Sequence, residues 1–171
     1  LPADGGRLRA LRYDGHDLLT PPPERFVPPA GEFGAYETRP VHGYDDCFPS
    51  VDPSDLPEHP GVRIRDHGEL CWVPWTVTRG SRELACITQT AIAGQSVRFE
   101  RTLRFTDADL TWRFAVRNEG TASLPFLHVM HALMPLAHVT RVDLPVFAAA
   151  VDEMSGSPLV FPGPEACARH L

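Results

Sequence analysis

The sequence predicts an all-β, antiparallel protein, and three observations lead to that class. Apolar and polar residues alternate with period two through 97–105 and again through 110–117. Helical periodicity is weak throughout, and no repeat of 20–50 residues is visible. Proline and glycine clusters punctuate the chain at turn positions. A large β-sandwich is the expected architecture.

Taken in order, residues 1–20 offer a short strand, GGRLRALRY, with Leu8 and Leu11 turned inward behind a Gly5-Gly6 turn. Residues 21–60 hold ten of the eighteen prolines. Proline removes a backbone donor and fixes φ, so this stretch should be irregular, with few ladder bonds. It also carries Phe26, Phe33, Tyr36, Tyr44 and Phe48, too many aromatics for a free linker, and should wrap over a sheet surface. Leu84–Ile92 reads as a strand. Val97, Phe99, Leu103 and Phe105 should face inward, as should Leu110, Trp112, Phe114 and Val116, with the turn at 106–109 making the two segments a hairpin. Asn118-Glu119-Gly120 supplies the next turn, and Leu124–Leu133 the next strand.

The 171 residues suit a single domain over 1–171, and nine Phe, three Trp and three Tyr supply its core. A net charge of −6 argues against nonspecific nucleic-acid binding. No apolar run approaches the ~20 residues of a membrane span, and no secretory signal opens the chain, so membrane partners are not expected. The chain does not begin with Met, so its N-terminus is expected upstream. All 16 basic residues are Arg, which excludes lysine Schiff-base chemistry and a GxxxxGK[ST] phosphate loop. Cys47, Cys71, Cys86 and Cys167 form no CxxC pair and have no histidine at zinc-finger spacing. They read as reduced thiols of a cytoplasmic protein.

Three local groups can carry chemistry. Asp66-His67-Gly68-Glu69 is followed by Trp72 and Trp75; a glycine there admits a close ligand, and indole faces pack against sugar C–H groups. His128 and His131 lie three apart, so in a strand they point to opposite faces and should not share one metal. Gly43-Tyr44-Asp45-Asp46-Cys47-Phe48-Pro49-Ser50 places adjacent acids beside an aromatic, a pattern that can accept sugar hydroxyls. Taken singly, these groups read more simply as surface turns and solvated acids.

In order and together, they resemble the aldose 1-epimerase (galactose mutarotase-like) family. Pro2-x-x-Gly5-Gly6-Arg7-x-x-x-Leu11 looks like the first strand of that family. Gly43–Ser50 is similar to a G-W-D-E-x-F-P-T stretch, and Asp66-His67-Gly68 with Trp75 to a D-H-G segment followed by tryptophan. Asn118-x-Gly120-x-x-x-Leu124-Pro125-Phe126, with His131 five residues on, resembles the passage ending in H-P-Y-F, where this chain has His131-Ala132-Leu133-Met134. The resemblance covers nearly all 171 residues but little over half of a family member, so the chain is expected to be incomplete at its C-terminus.

The resemblance implies an antiparallel β-supersandwich that interconverts sugar anomers; no bound metal is expected, because His128 and His131 point to opposite faces and no spaced Cys/His set occurs, and no cofactor is expected. A histidine suits proton donation near neutral pH. The resemblance gives His131 that role and has His67 bind the sugar, so His131 and His67 are the expected catalytic pair. Asp46, Asp66, Glu69 and Trp75 are the expected substrate-binding residues, and the imidazoles of His67 and His131 should lie within about 10 Å of each other across a cleft a pyranose could bridge. The base of the family, a glutamate of the C-terminal third, has no match here; Glu153 and Glu165 are the only late glutamates. Ser50-Val51-Asp52-Pro53 stands where many members carry a binding arginine. The alternative is a non-catalytic carbohydrate-binding relative, favoured by the missing base and by Ala132.

Overall fold

The computed structural model describes residues 1–25, 36–139, 149–152 and 155–159. Phe26, Phe33, Glu153, Glu165 and Cys167 lie outside the described residues. The chain divides into two compact units, Leu1–Leu133 and Met134–Leu171. Strands dominate the first, all named strands pair antiparallel, and no α-helix occurs among the described residues.

In chain order the strands are β1 (Arg12–Tyr13), β2 (His16–Asp17), β3 (Tyr44–Cys47), β4 (Ser54–Asp55), β5 (Arg63–Ile64), β6 (Thr76–Arg79), β7 (Glu83–Ile92), β8 (Gln95–Phe105), β9 (Leu110–Asn118) and β10 (Val129–Ala132). The first two and the fourth and fifth form short hairpins, while β6-β7-β8-β9 is a four-stranded meander. Ala93 and Gly94 join β7 to β8 with φ of 51° and 72°, the pair of positive values that a two-residue hairpin turn of matching twist requires. Between β8 and β9 the Thr106 hydroxyl accepts the Asp109 amide at 2.8 Å, so a side chain closes the turn that the sequence places at 106–109. Phe105 stands opposite Leu110 and Val97 opposite Asn118.

The inward side of β8 is Val97, Phe99, Arg101 and Leu103, all buried. Phe105, expected inward, is instead 37% exposed at the strand end. The core joins Val97, Phe99, Cys86 and Ile92 of the meander to Phe48, Leu56, Ile64, Leu70 and Trp75. Of the Pro-rich stretch, Phe48 and Leu56 pack into this core, while 26–35 lie outside the described residues. Trp112 and Phe114, expected to be buried, are half-buried because β9 is an edge strand with a neighbour on one side only. Phe99→Ala is therefore expected to cost about 3–5 kcal/mol and Trp112→Ala clearly less, which urea unfolding of the two variants will rank.

β3 and β10 pair across the chain, with His131 opposite Asp45 and Ala132 opposite Tyr44. Leu8 exchanges backbone hydrogen bonds with Tyr44 at 2.9 and 3.0 Å on the other side. Two corrections to the sequence reading follow. The buried side chain of the opening segment is Arg7, with Leu8 and Leu11 half-buried; and of 124–133 only Val129–Ala132 is strand, paired with β3. In the second unit Leu136–His138 form a 3-10 turn, and Val151 bridges Pro158 antiparallel.

Candidate functional site

All four residues of β3 are buried, although two are aspartates. Burial of a carboxylate is tolerated when a cation and hydrogen bonds replace its water. Arg7 provides this for Asp45, binding its Oδ2 at 2.7 Å while also donating to Asp4 at 3.0 Å and to the His42 carbonyl at 2.6 Å. Arg101 does so for Asp46, and also donates to the Gly6 carbonyl. Adjacent strand residues point to opposite faces, so the two acids serve two different environments. Asp46 Oδ1 meets the Tyr44 hydroxyl at 2.6 Å and His128 Nε2 at 3.0 Å, and His128 packs edge-on against Phe99 and Phe114. Asp45 Oδ1 meets His131 Nδ1 at 2.8 Å. The opposite-face expectation for His128 and His131 holds.

His67 reaches the Asp45 side from a separate turn. Its φ is +59° and that of Gly68 is +68°, two consecutive left-handed residues held by hydrogen bonds from the His67 amide to Val51 O at 2.7 Å and from the Gly68 amide to Arg65 O at 3.0 Å. A Cβ at position 68 would collide with the Phe48 carbonyl, so only glycine brings this turn against the end of β3. A histidine in a left-handed conformation is a local strain that the surrounding bonds must maintain. His67 Nδ1 lies 2.9 Å from Asp66 Oδ1.

The imidazoles of His67 and His131 stand in edge contact, centroids 4.9 Å apart. This satisfies the expected proximity and changes its meaning: the rings touch instead of facing each other across a sugar-sized gap, so a ligand would lie over the pair. Tyr36, from the 3-10 turn Tyr36–Thr38, stacks on His67 with centroids 3.5 Å apart and planes 5° from parallel. Its hydroxyl donates to Asp45 Oδ2 at 3.0 Å and lies 3.2 Å from His131 Nδ1. Cys47, two residues from Asp45 on the same strand face, completes the group: its sulfur and one ring nitrogen from each histidine all lie within 4.8 Å of one another. Among the described residues this is the set that could hold a metal ion.

Of the expected sugar-binding residues, Asp66 sits at the site, bonded to His67. Glu69 is held by Arg65 at 3.1 Å, with its backbone amide on the Phe48 carbonyl. Asp46 and Trp75 are not brought there. Asp46 points to the opposite face of β3 and is neutralised by Arg101, leaving Asp45 as the acid beside the histidines. Trp75 is a core residue, packed against Phe99 with its indole N–H on the Leu70 carbonyl at 3.1 Å. Tyr36, Asp45 and Cys47 are the members sequence reasoning did not select. A signal existed for Asp45, since its parity in a strand separates it from Asp46; none existed for the meeting of Cys47 with His67 and His131. A groove of about 520 Å³ lies elsewhere, on the meander between Glu83, Glu100, Arg104 and Arg113. Of its charges, Arg104 pairs with Glu83 at 3.0 Å, and Glu100 with neighbouring Arg98 at 2.6 Å.

Burial alone would raise the Asp45 carboxyl, but the His131 hydrogen bond, the Arg7 guanidinium and the Tyr36 hydroxyl outweigh it and hold it below the usual carboxylate range. Burial, then Asp45, pushes the Tyr36 phenol up, and the same two causes push up the Cys47 thiol. A folded-state value below the unfolded one means Asp45 adds stability that is complete above about pH 4 and is lost as pH falls below it. Asp45→Asn should therefore flatten the loss of urea-unfolding free energy between about pH 5 and pH 2.

Comparison with protein-family models, with curated proteins and with solved structures gave no match.

Proposed function

We propose that the His67–His131 cluster binds the anomeric end of an aldose and that His131 supplies the proton for anomer interconversion, on a β-supersandwich of the galactose mutarotase-like kind. The observation that carries this reading is the contact of two imidazoles from distant segments, each fixed at Nδ1 by a carboxylate, Asp66 for His67 and Asp45 for His131. A carboxylate at Nδ1 sets the ring orientation and stabilises the imidazolium, which leaves Nε2 to exchange a proton with substrate.

In this reading protonated His131 gives its Nε2 proton to the ring oxygen while a base takes the proton of the anomeric hydroxyl. The bond from the anomeric carbon to the ring oxygen breaks and a carbonyl forms at that carbon. Rotation of the carbonyl and closure on its other face reverse both transfers, so catalyst and proton count are restored. His67 holds the sugar, with Asp66 and Glu69 on its turn. The base has no matched glutamate in these 171 residues, and that is the observation favouring a second reading, a carbohydrate-binding protein without catalysis. The thiols of Cys47, Cys71 and Cys86, all free, suit the cytoplasmic setting that the reading includes.

The binding step is tested by titrating the chain with a panel of aldoses and following the imidazole Cε1–H resonances. Those of His67 and His131 should move together with one aldose, while exposed His16 and His138 stay fixed; no movement with any aldose would refute both readings. His67→Ala should raise KM far more than it lowers kcat if the contact is equally strong in ground and transition states, which initial-rate kinetics on full-length protein will show.

A further inference from the structure

We propose that Cys47, His67 and His131 form a site for a divalent metal of zinc-like chemistry, with one coordination position left open. Local spacing gives no hint of it, because the three ligands come from β3, a turn and β10. Three features of the fold carry it.

The first is proximity. The cysteine sulfur and a nitrogen of each ring already lie within 4.8 Å of one another. Zinc bonds of about 2.3 Å to sulfur and 2.0–2.1 Å to nitrogen place tetrahedral ligand atoms roughly 3.3–3.6 Å apart, a contraction that small side-chain rotations can supply. The second is the donor set. One thiolate and two neutral imidazoles suit zinc and cobalt(II), and three protein ligands with a free fourth position are the pattern of open zinc sites. The third is what stands behind the ligands. Histidines that bind metal usually donate the other ring N–H to a carboxylate, which fixes the tautomer and raises basicity. Both histidines have such a partner, Asp66 at 2.9 Å and Asp45 at 2.8 Å, and Arg7 and Tyr36 hold Asp45 in turn. Two carboxylate–histidine pairs thus stand beside one cysteine.

Binding displaces the Cys47 S–H proton to solvent, since the thiolate is the ligand. The ion and a sugar would then compete for the same ring nitrogens, so the metal acts as an inhibitor of the proposed chemistry. The site stands without the sugar reading, because metal binding can be measured when no aldose is bound or none binds.

The test is titration of the phosphine-reduced, chelator-treated 171-residue chain with cobalt(II). One ion per chain should bind, with a thiolate-to-cobalt charge-transfer band in the near ultraviolet and the intense visible bands of a four-coordinate ion. Cys47→Ser should abolish the charge-transfer band, Cys71→Ser should keep it, and Asp66→Asn, at a partly exposed residue that touches no metal, should weaken binding by about 10–100-fold. Circular dichroism of each metal-free variant checks that it is folded. A wild-type chain without the charge-transfer band, or the same band in folded Cys47→Ser, overturns the proposal. So does Asp66→Asn with unchanged affinity. Zinc should displace the cobalt, and failure to do so also counts against the site.

Discussion

Replacing His131 with alanine is expected to slow the proposed anomer interconversion by about 10²–10⁴, the usual span for removing a positioned general acid. The magnitude follows from its setting. His131 is partly exposed, with its side chain at 26%, whereas its partner Asp45 is at 1%, so the ring gives one nitrogen to a desolvated, Arg7-paired carboxylate and, in the proposed reaction, the other to substrate. Asp45→Asn should lower the same rate without removing the imidazole, because the amide can no longer stabilise an imidazolium. The two losses should not add, since both act through one proton. Polarimetry on a freshly dissolved α-aldose with full-length protein measures all three variants.

Arg101→Met is expected to cost about 3–5 kcal/mol of stability, because it strands the Asp46 carboxylate as a buried charge without its cation. Arg101 and Asp46 are both fully buried, and Arg101 also lies against the faces of Tyr44 and Trp75, 5.3 and 4.9 Å from the ring centroids. The double variant Arg101→Met, Asp46→Asn should recover much of the loss, since an amide can keep the Tyr44 and His128 bonds without a charge to solvate. Urea unfolding of the single and double variants gives the coupling. A single variant as stable as the parent would mean that the pair does not support the sheet.

How much of the fold and the site is legible in the chain depends on how far apart the interacting residues lie. The 97–105 and 110–117 hairpin is readable because alternation and a four-residue turn are local. Even there, position 101 falls in phase with Val97, Phe99 and Leu103 and carries an arginine; that break in the apolar pattern is the local mark of the buried ion pair with Asp46. β3 is hidden. Tyr44-Asp45-Asp46-Cys47 has no apolar pattern, and its burial depends on Arg7 and Arg101 from elsewhere in the chain. Trp75 reads as a sugar contact because indoles suit sugar faces, yet its ring is needed against Phe99 and under Arg101. The nearness of His67 and His131 comes from ordered motifs alone, and nothing in their spacing tells that the rings touch, that Tyr36 stacks on one, or that Cys47 stands beside both.

The central claim is that the two imidazoles act on an anomeric centre, and exchange spectroscopy of the α and β anomeric protons tests it most directly. With full-length protein and a panel of aldoses, exchange cross-peaks between the anomers should appear for at least one sugar, vanish in His131→Ala, and return only at higher sugar concentration in His67→Ala. If the base lies outside these 171 residues, as the resemblance implies, they should by themselves shift the imidazole resonances with that sugar and give no cross-peaks. Cross-peaks from the chain alone would move the base to Asp66 or Asp45, while full-length protein that accelerates no aldose in the panel would contradict the assignment of an epimerase.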